Sequence, residues 1–503
     1  MSKRLIVLFC VLFVFAAAMP AFAAVQNIKV SGDILARYIA RSDFSLTKDV
    51  VGTDDNINVF NTVTRIRIDA DLTDNVSTVV RLINERNWGE ADYSSSSYGG
   101  SYDNTNDTNI QLDLAYVTLK EFLYSPLTVT IGRQELHFGN DMIIGDGVGE
   151  PKPNMVSGGI GTNQTTNYRE ATGYGGVSGD LSLRKSFDAI RATLNYDPLV
   201  IDMVYAKLRA NVIYGKNNSS NGDSKDDADL YGINAGYKFS DKWNTLMEGY
   251  FWSKRNDGTI YSTDSAGNAT GWSKGKEDDV QVVGARVSTN PMKKLNVQQE
   301  FAYQFGERVD GSSAAGLKRD RSAFAAQTIA MLTPGWKYEP TMGMIYSYFS
   351  GEGGPVSTTK KYHAWDPMCE NQTAGSIINA LFPSTNCHNL DFMAKMSPMQ
   401  DVWVQADYVV QLLARGVGID GLTDVPLNDY EISGGYDFNG HNRFMGQEFD
   451  VNLTYNYTED VQLGLLMGWF WPGSALAKVS DDAGSVRQRS TAAEAIASCK
   501  VSF

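Results

Sequence analysis

Charged side chains recur at every second position in two stretches of the chain. Arg65, Arg67 and Asp69 form the first series, and Glu448 and Asp450 form the second. Residues two apart on a β-strand point to the same face, so each series predicts a strand face that carries fixed charges. When such faces line a water-filled passage, their charges attract or repel ionic solutes and set its selectivity.

Residues that could carry out catalysis are sparse. The four histidines are scattered, and the chain contains no Gly-x-Ser-x-Gly elbow, no phosphate-binding loop and no His-Glu-x-x-His run. The net charge of −14 leaves no basic excess to neutralise the phosphates of a nucleic acid. We therefore expect a protein that is not an enzyme, uses no cofactor and binds no nucleic acid.

The first 23 residues have the pattern of a secretory signal peptide. Lys3 and Arg4 precede the apolar run Leu5–Ala18, and Ala21-Phe22-Ala23 supplies a small-x-small cleavage site. We predict that the mature chain begins at Ala24, after which no run of 18 apolar residues occurs. A secreted chain of this kind is periplasmic, extracellular or an outer-membrane barrel.

Alternation with a period of two predicts the strands. About 18 segments show it, each of roughly the 9–11 residues that a tilted membrane-spanning strand needs. In one segment Phe449, Val451 and Leu453 share a face, and Glu448 and Asp450 lie on the opposite face. This pattern fits lipid outside and water inside, although a soluble β-sandwich also alternates.

The connections between these segments favour the barrel. Short turns alternate with long polar loops, which include 89–109, 135–187, 351–389 and 413–446. Outer-membrane barrels have short periplasmic turns and long extracellular loops, whereas a sandwich has no reason to keep this regularity. Residues 24–503 are therefore predicted to form one all-β domain, a transmembrane antiparallel β-barrel of about 18 strands.

Cysteine placement predicts one crosslink. Cys369 and Cys387 enclose a single outer loop, and in an oxidising compartment a disulfide between them is expected. A zinc site formed with His363 and His388 is the alternative, but its spacing matches no compact zinc-finger pattern. Cys499 falls on the apolar face of the last strand, where a lipid-facing thiol is expected.

Four stretches resemble the alginate-export family of outer-membrane porins. They are TRIRIDADL, the run from AYVTL to GRQELHFGNDMIIG, SFDAIRATLNYDPLVIDMVYA and FMGQEFDVNLTYNYTEDVQLGLLMGWFWPG. The resemblance implies a monomeric barrel of about 18 strands that exports or passes a polar, often anionic, solute. It also implies an arginine-rich constriction, whose matching positions here are Arg65, Arg67, Arg133 and Arg191. Arg133 shares the parity of Leu127, Val129 and Ile131, so it would need a β-bulge to point inward.

The terminal Phe503 resembles the C-terminal signal of bacterial outer-membrane proteins. Apolar and polar residues alternate along the segment from Thr491 to Phe503. The expected partners are therefore the barrel-assembly machinery, outer-membrane lipid and lipopolysaccharide, and a polar small-molecule or oligosaccharide solute. The expected location is the bacterial outer membrane.

These observations predict a channel through which polar solutes, anionic ones included, diffuse across the outer membrane. Its predicted pore-lining residues are Arg65, Arg67, Asp69, Arg133, Arg191, Glu448 and Asp450. The alternative is a purely structural role, in which ladders of Arg and Asp across the lumen only stiffen the barrel wall. If the pore is constricted, segment 135–187 or 89–109 must fold inward.

Three alternative functions remain from the sequence. The first is export of an acidic exopolysaccharide. The resemblance implies a long last periplasmic turn that can cover the pore in such exporters, whereas the turn here is only Thr458–Asp460, which weakens this alternative. The second is a barrel sheath around a periplasmic electron-transfer partner, which would require multihaem partners. The third is an enzyme at the barrel rim, which would hydrolyse lipid or peptide.

Overall fold

A computed structural model describes most of the chain. The described residues are 27–44, 46, 56–88, 110–147, 179–209, 228–256, 259–263, 269–274, 277–310, 317–352, 361–416, 436–438, 442–480, 486–487 and 489–503. The predicted signal peptide 1–23 and the predicted start at Ala24 lie outside them, as does the whole of loop 89–109. Loops 135–187, 351–389 and 413–446 are described in part.

The described residues form eighteen long strands that follow one another around a closed antiparallel barrel. The strands are β1 (Asn27–Ser42), β2 (Ile57–Thr73), β3 (Val76–Asn87), β4 (Gln111–Leu119), β5 (Leu127–Glu135), β6 (Ser186–Asn195), β7 (Leu199–Arg209), β8 (Ala228–Lys238), β9 (Leu246–Asn256), β10 (Asp278–Met292), β11 (Leu295–Asp310), β12 (Leu317–Leu332), β13 (Thr341–Phe349), β14 (Cys387–Met399), β15 (Val402–Leu413), β16 (Phe444–Asn456), β17 (Val461–Pro472) and β18 (Ala492–Ser502). The predicted fold class and strand number are confirmed.

The barrel closes where its first and last strands pair. β1 and β18 run antiparallel from the pair Asp33–Ser502 to the pair Ser42–Ala493. Beyond the last strand, Gly32 and Phe503 exchange two backbone hydrogen bonds of 2.8 and 3.0 Å. Each strand therefore has a hydrogen-bonded neighbour on both sides. The predicted recognition of Phe503 by the assembly machinery stays a prediction.

Short turns collect at one end of the barrel, here called the short-turn end. The described parts of the predicted long loops lie at the other end, called the long-loop end. The loop residues include a hairpin (Thr259–Thr263 with Ala269–Lys274) and a three-stranded sheet (Tyr436–Phe438, Leu476–Ser480, Val486–Arg487). They also include a two-residue strand (Lys361–Tyr362) that pairs with β12, a 3-10 turn (Gly179–Leu181) and one helix, α1 (Ile377–Leu381). Within the described part of the chain, no helix is long and apolar enough to cross a membrane.

The two faces of the sheet differ as the alternation predicts. Large apolar side chains point outward and are exposed around the barrel, among them Ile28, Val30, Ile190, Met203, Phe251, Phe301 and Leu453. Cys499 lies directly opposite the exposed Leu463, so it belongs to this outer face. Charged residues such as Asp33, Arg81 and Glu300 are buried on the inner face. The barrel is therefore apolar toward its surroundings.

The interior also contains apolar side chains, brought there by two loop segments. Segment 136–147 contributes Leu136, Phe138 and Ile144, and segment 361–386 contributes Trp365 and Met368. They pack against inward-facing wall residues, among them Tyr250, Trp252, Val280, Val282 and Ala302. Backbone hydrogen bonds from Gly145 and Asp146 to the Cys369 carbonyl, at 2.8 and 2.9 Å, join the two segments. We call this cluster the apolar plug.

The largest wall residue of the plug requires a glycine beside it. Trp252 is fully buried, and its ring lies 4.9 Å from that of Phe138 between centroids. Directly opposite it on β8 is Gly232, where an added Cβ would fall 1.8 Å from the indole ring. On the same face of β8, an added Cβ at Gly236 would meet only ordinary contacts at 3.6 Å or more.

Gly232→Val is therefore expected to destabilise the barrel, because overpacking a filled interior costs about 1–3 kcal/mol. Gly236→Val, four residues away on the same strand and face, is the matched control and should cost less. The free energy of unfolding in urea, measured for both variants in lipid vesicles, checks this. Equal destabilisation by the two substitutions would contradict the described packing of Trp252.

Candidate functional site

The predicted arginine series on β2 lies inside the barrel and is paired with carboxylates. Arg65 stands opposite Asp33 on β1 and donates two hydrogen bonds to it, of 2.8 and 2.5 Å. Arg67 donates to Asp69, two residues along its own strand, at 2.7–3.1 Å. The side chains of Arg67 and Asp69 are 34% and 36% exposed, so both remain in contact with the lumen.

A third arginine of the predicted set, Arg191, also lies on the inner face. Its Nε donates to Asp202 at 2.8 Å, and its guanidinium carbon lies 5.2 Å from the centroid of the Phe138 ring. The side chain is 31% exposed while that of Asp202 is 6% exposed. Arg191 therefore lies at the edge of the apolar plug with part of its charge facing the lumen.

Arg133 does not line the pore, and its prediction as a selectivity residue is wrong. It is paired in register with Asp188, to which its Nη1 donates at 2.9 Å. Asp188 is well exposed, and it alternates with the inward-facing Phe187 and Ala189. The register of β5 with β6 is unbroken, so no bulge turns Arg133 inward. The ion pair therefore lies on the outer face, near the long-loop ends of the two strands.

Glu448 and Asp450 lie on the inner face of β16, but they hold a loop segment instead of facing open water. Glu448 is fully buried and accepts hydrogen bonds from the backbone N–H groups of Ile377 and Ile378, at 2.7 and 2.6 Å. Asp450 accepts one from the backbone N–H of Ser376 at 3.0 Å. Both residues lie on the inner wall, as predicted. Glu448 is fully buried against the loop segment, so its contacts do not support the predicted role in selectivity. We call these contacts the latch.

The latch satisfies donors that α1 leaves open. The first N–H groups of a helix have no partner within the helix, and the side chain of the N-cap residue Ser376 does not cap them. The two oxygens of the buried Glu448 carboxyl group meet this need, because each accepts a hydrogen bond from one of these N–H groups. Gly375 makes the approach possible, because its φ is +72° and an added Cβ would lie 2.6 Å from the Glu448 carboxyl carbon.

A second inward segment, residues 179–185, is held by charges on β1 and β3. Arg41 pairs with both Asp180 and Glu494 at 2.5 Å. Glu85 accepts hydrogen bonds from the Leu183 backbone N–H at 2.7 Å and from the Ser182 hydroxyl at 2.8 Å. These contacts place part of loop 135–187 inside the barrel, and a constriction by this loop stays a prediction.

The inward position of segment 361–386 was missed by sequence reasoning. This loop contains Ile377, Ile378 and Leu381, which are buried on a wall formed in part by Phe470 and Val409. A solvated outer loop has no need for such a run of apolar residues, so IINALF was the available signal. Segments 136–147 and 361–386 are thus both loops with apolar residues at their centres.

The predicted disulfide between Cys369 and Cys387 is not formed in the structure, which holds both as free thiols. Both side chains are buried within the apolar plug, but different backbone pairings fix them. Cys369 pairs with the Ile143–Ile144 segment, and Cys387 lies on β14 opposite Phe349. Burial raises the pKa of the Cys369 thiol to about 12. Among the described residues, no group of three or more His, Cys, Asp or Glu is arranged to hold a metal ion.

One titratable pair lies on the inward segment 136–147. His137 Nδ1 is 3.0 Å from Asp141 Oδ2, and the imidazole is about half exposed. The hydrogen bond to Asp141 raises the pKa of His137 above its usual value. Protonated His137 is therefore favoured at mildly acidic pH, where its charge balances that of Asp141.

Comparison with known proteins gives one family. The sequence model of the family described as alginate export matches residues 178–490. No curated protein matches the chain. This fold is similar to that of a BenF-like porin from Pseudomonas fluorescens Pf-5, with 11% identity, a TM-score of 0.51 and coverage of 95% of this chain and 100% of that one.

Two further solved structures are similar. OccK2 (OpdF) of Pseudomonas aeruginosa, solved in complex with glucuronate, is 11% identical with a TM-score of 0.51, over 95% of this chain and 99% of that one. OccAB3 of Acinetobacter baumannii is 10% identical with a TM-score of 0.50, over 95% and 100%. At these identities the likeness establishes the fold.

The latch predicts how α1 responds to loss of one carboxylate. Glu448→Gln leaves a single acceptor oxygen for two N–H groups, and a buried donor without an acceptor costs about 1–3 kcal/mol. Amide hydrogen exchange at Ile377 and Ile378 should therefore quicken by about tenfold or more. Glu459→Gln, in an exposed short turn, is the control. Equal exchange rates in both variants would show that Glu448 does not hold the segment.

The pair of His137 and Asp141 predicts a pH effect with a definite sign. The raised pKa of His137 means that the fold favours the charged imidazole. The contribution of the pair to folding stability is therefore complete below the usual histidine pKa, and it disappears as pH rises through the raised value. Asp141→Asn should lower the pKa of His137, as followed by NMR titration. Asp146→Asn, which acts only through a weaker charge interaction, should lower it less.

Proposed function

The chain belongs to the alginate export family, and from this membership and the geometry of its interior we propose that it is a passive outer-membrane channel for small polar solutes. The observation that carries the proposal is the contrast between the two barrel faces. Apolar side chains cover the outside, and ion-paired charges that remain partly exposed line the inside. Such a wall suits a water-filled passage in a membrane.

Export of an acidic polysaccharide is less well supported. A polyanion needs arginines whose charge is available, whereas Arg65, Arg67 and Arg191 each donate to a carboxylate of the barrel itself. The short turn after β16 ends in a tight backbone contact, from the Tyr457 N–H to the Val461 carbonyl at 2.9 Å. It offers no cover for a pore. The partly exposed arginines therefore fit brief contacts with small solutes better than a sustained hold on a polymer.

The remaining partner assignments extend the proposal. The exposed apolar belt supports contact with outer-membrane lipid and lipopolysaccharide. The monomeric state and recognition by the assembly machinery remain predictions from the sequence. None of the features in the described residues favours the sheath around an electron carrier or the rim enzyme.

Planar-bilayer recording tests the channel directly. The refolded protein is expected to give ohmic currents. Arg67→Ala and Arg191→Ala should each shift the reversal potential toward cation preference, because each leaves a lumen carboxylate, Asp69 or Asp202, without its partner. Arg133→Ala is the matched control, since the same charge is removed from the outer face.

If the correctly refolded barrel gives no current, the proposed channel function is refuted. An equal shift for Arg133→Ala would instead contradict the placement of the arginines.

A further inference from the structure

A second group of lumen charges has a different character from the arginine pairs. Asp391, Asp407 and Asp450 lie on the adjacent strands β14, β15 and β16 and face the interior. Asp407 and Asp450 are direct cross-strand partners. Asp391 lies diagonally across from Asp407, because its own partner is Val409, two residues further along β15. Like charges placed directly opposite each other destabilise a sheet, so this arrangement has a structural cost.

The sequence around this acidic wall supplies almost no positive charge. Strands β15 and β16 contain no Lys or Arg, and β14 contains only Lys395. The Lys395 ammonium lies over the Trp403 ring, 4.9 Å from its centroid. Among the residues that the structure describes, no basic side chain forms an ion pair with Asp391, Asp407 or Asp450.

The polar contacts of the three carboxylates leave one of them unsatisfied. Asp407 accepts from the Gln405 amide at 2.9 and 3.1 Å, and Asp450 accepts from Ser376 through the latch. Asp391 is only 9% exposed, and its Oδ1 is buried without a hydrogen-bond partner. A buried carboxylate without a donor costs free energy unless a cation or another donor visits it.

The position of the wall gives it access to solutes. The strand register places the Asp407–Asp450 pair two residues closer to the short-turn end than Glu448, which holds α1. Asp407 and Asp450 therefore lie beside the latched segment on the side that faces the short turns, and Asp391 lies level with Glu448. Asp407 is partly exposed and is the most accessible of the three carboxylates.

We propose that Asp391, Asp407 and Asp450 determine specificity by attracting cations, so that the channel favours small cationic solutes, including those with an ammonium group, over anions. This inference rests on the proposed channel function. The arginines on β2 and β6 do not cancel the effect, because each is already paired with its own carboxylate. The three carboxylates act as a diffuse negative surface and not as a chelating site, in keeping with the lack of a metal-binding arrangement among the described residues.

The test is the reversal potential of single channels in a potassium chloride gradient. The wild-type protein should conduct potassium in preference to chloride. The double variant Asp391→Asn/Asp407→Asn, which leaves the latch residue Asp450 in place, should lower the potassium-to-chloride permeability ratio by about half or more. Asp407→Asn alone should give a smaller change in the same direction.

The control is Asp188→Asn, which removes a carboxylate from the outer face and should leave the ratio unchanged. Because the substitutions relieve repulsion, the double variant should unfold at a urea concentration no lower than that of the wild type. Chloride preference in the wild type, or an unchanged ratio in a folded double variant, would overturn the cation wall while leaving the channel intact. Absence of any current in the wild type would refute both.

Discussion

Hydrogen bonding between β1 and β18 is the interaction on which the rest of the structure depends. A strand edge in hydrocarbon has no water to satisfy its N–H and C=O groups, so a membrane-spanning sheet must close on itself. The chain ends approach closely beside Gly32, where an added Cβ would lie 2.7 Å from the Phe503 ring. The next residue, Asp33, pairs with the Arg65 side chain inside the barrel. Closure and the first lumen ion pair thus occur at the same seam.

Closure creates an interior that the long loops then use. Where segments 136–147 and 361–386 pack inside, the wall presents apolar residues such as Trp252, Val280 and Val282. Where carboxylates receive backbone N–H groups, as at Glu448 and Glu85, the wall is charged. The polarity of the inner face therefore changes from place to place with the loop segment that packs against it, and the inner face is not polar throughout. This explains why β8 to β12 combine apolar outer and apolar inner residues.

Much of the fold could be predicted from the sequence, because alternation and loop length both reflect the bilayer. The position of single side chains could not, because it depends on register and on loops that return to the interior. Arg133 shows the first limit: its parity pointed outward, and only the family pattern suggested the lumen. Glu448 shows the second, since its parity was correct but its partner, α1, lies about 70 residues away along the chain. The apolar run at Ile377 was visible but was interpreted as part of an outer loop.

The pairing of lumen charges matters more than their number. An arginine and a carboxylate in contact act together as a dipole, whose field falls off faster with distance than that of a single charge, and salt screens what remains over about 8–10 Å. Unpaired carboxylates keep a net charge that a passing ion can sense. Strand β16 carries both a carboxyl group that holds a loop segment and one that faces another carboxylate. Glu448 accepts hydrogen bonds from α1, and Asp450, two residues further on, lies opposite Asp407 and also accepts from Ser376. The strand that fixes the inward segment therefore also carries part of the charge beside it, so the width of the passage and its electrostatic character are set by neighbouring residues of one strand.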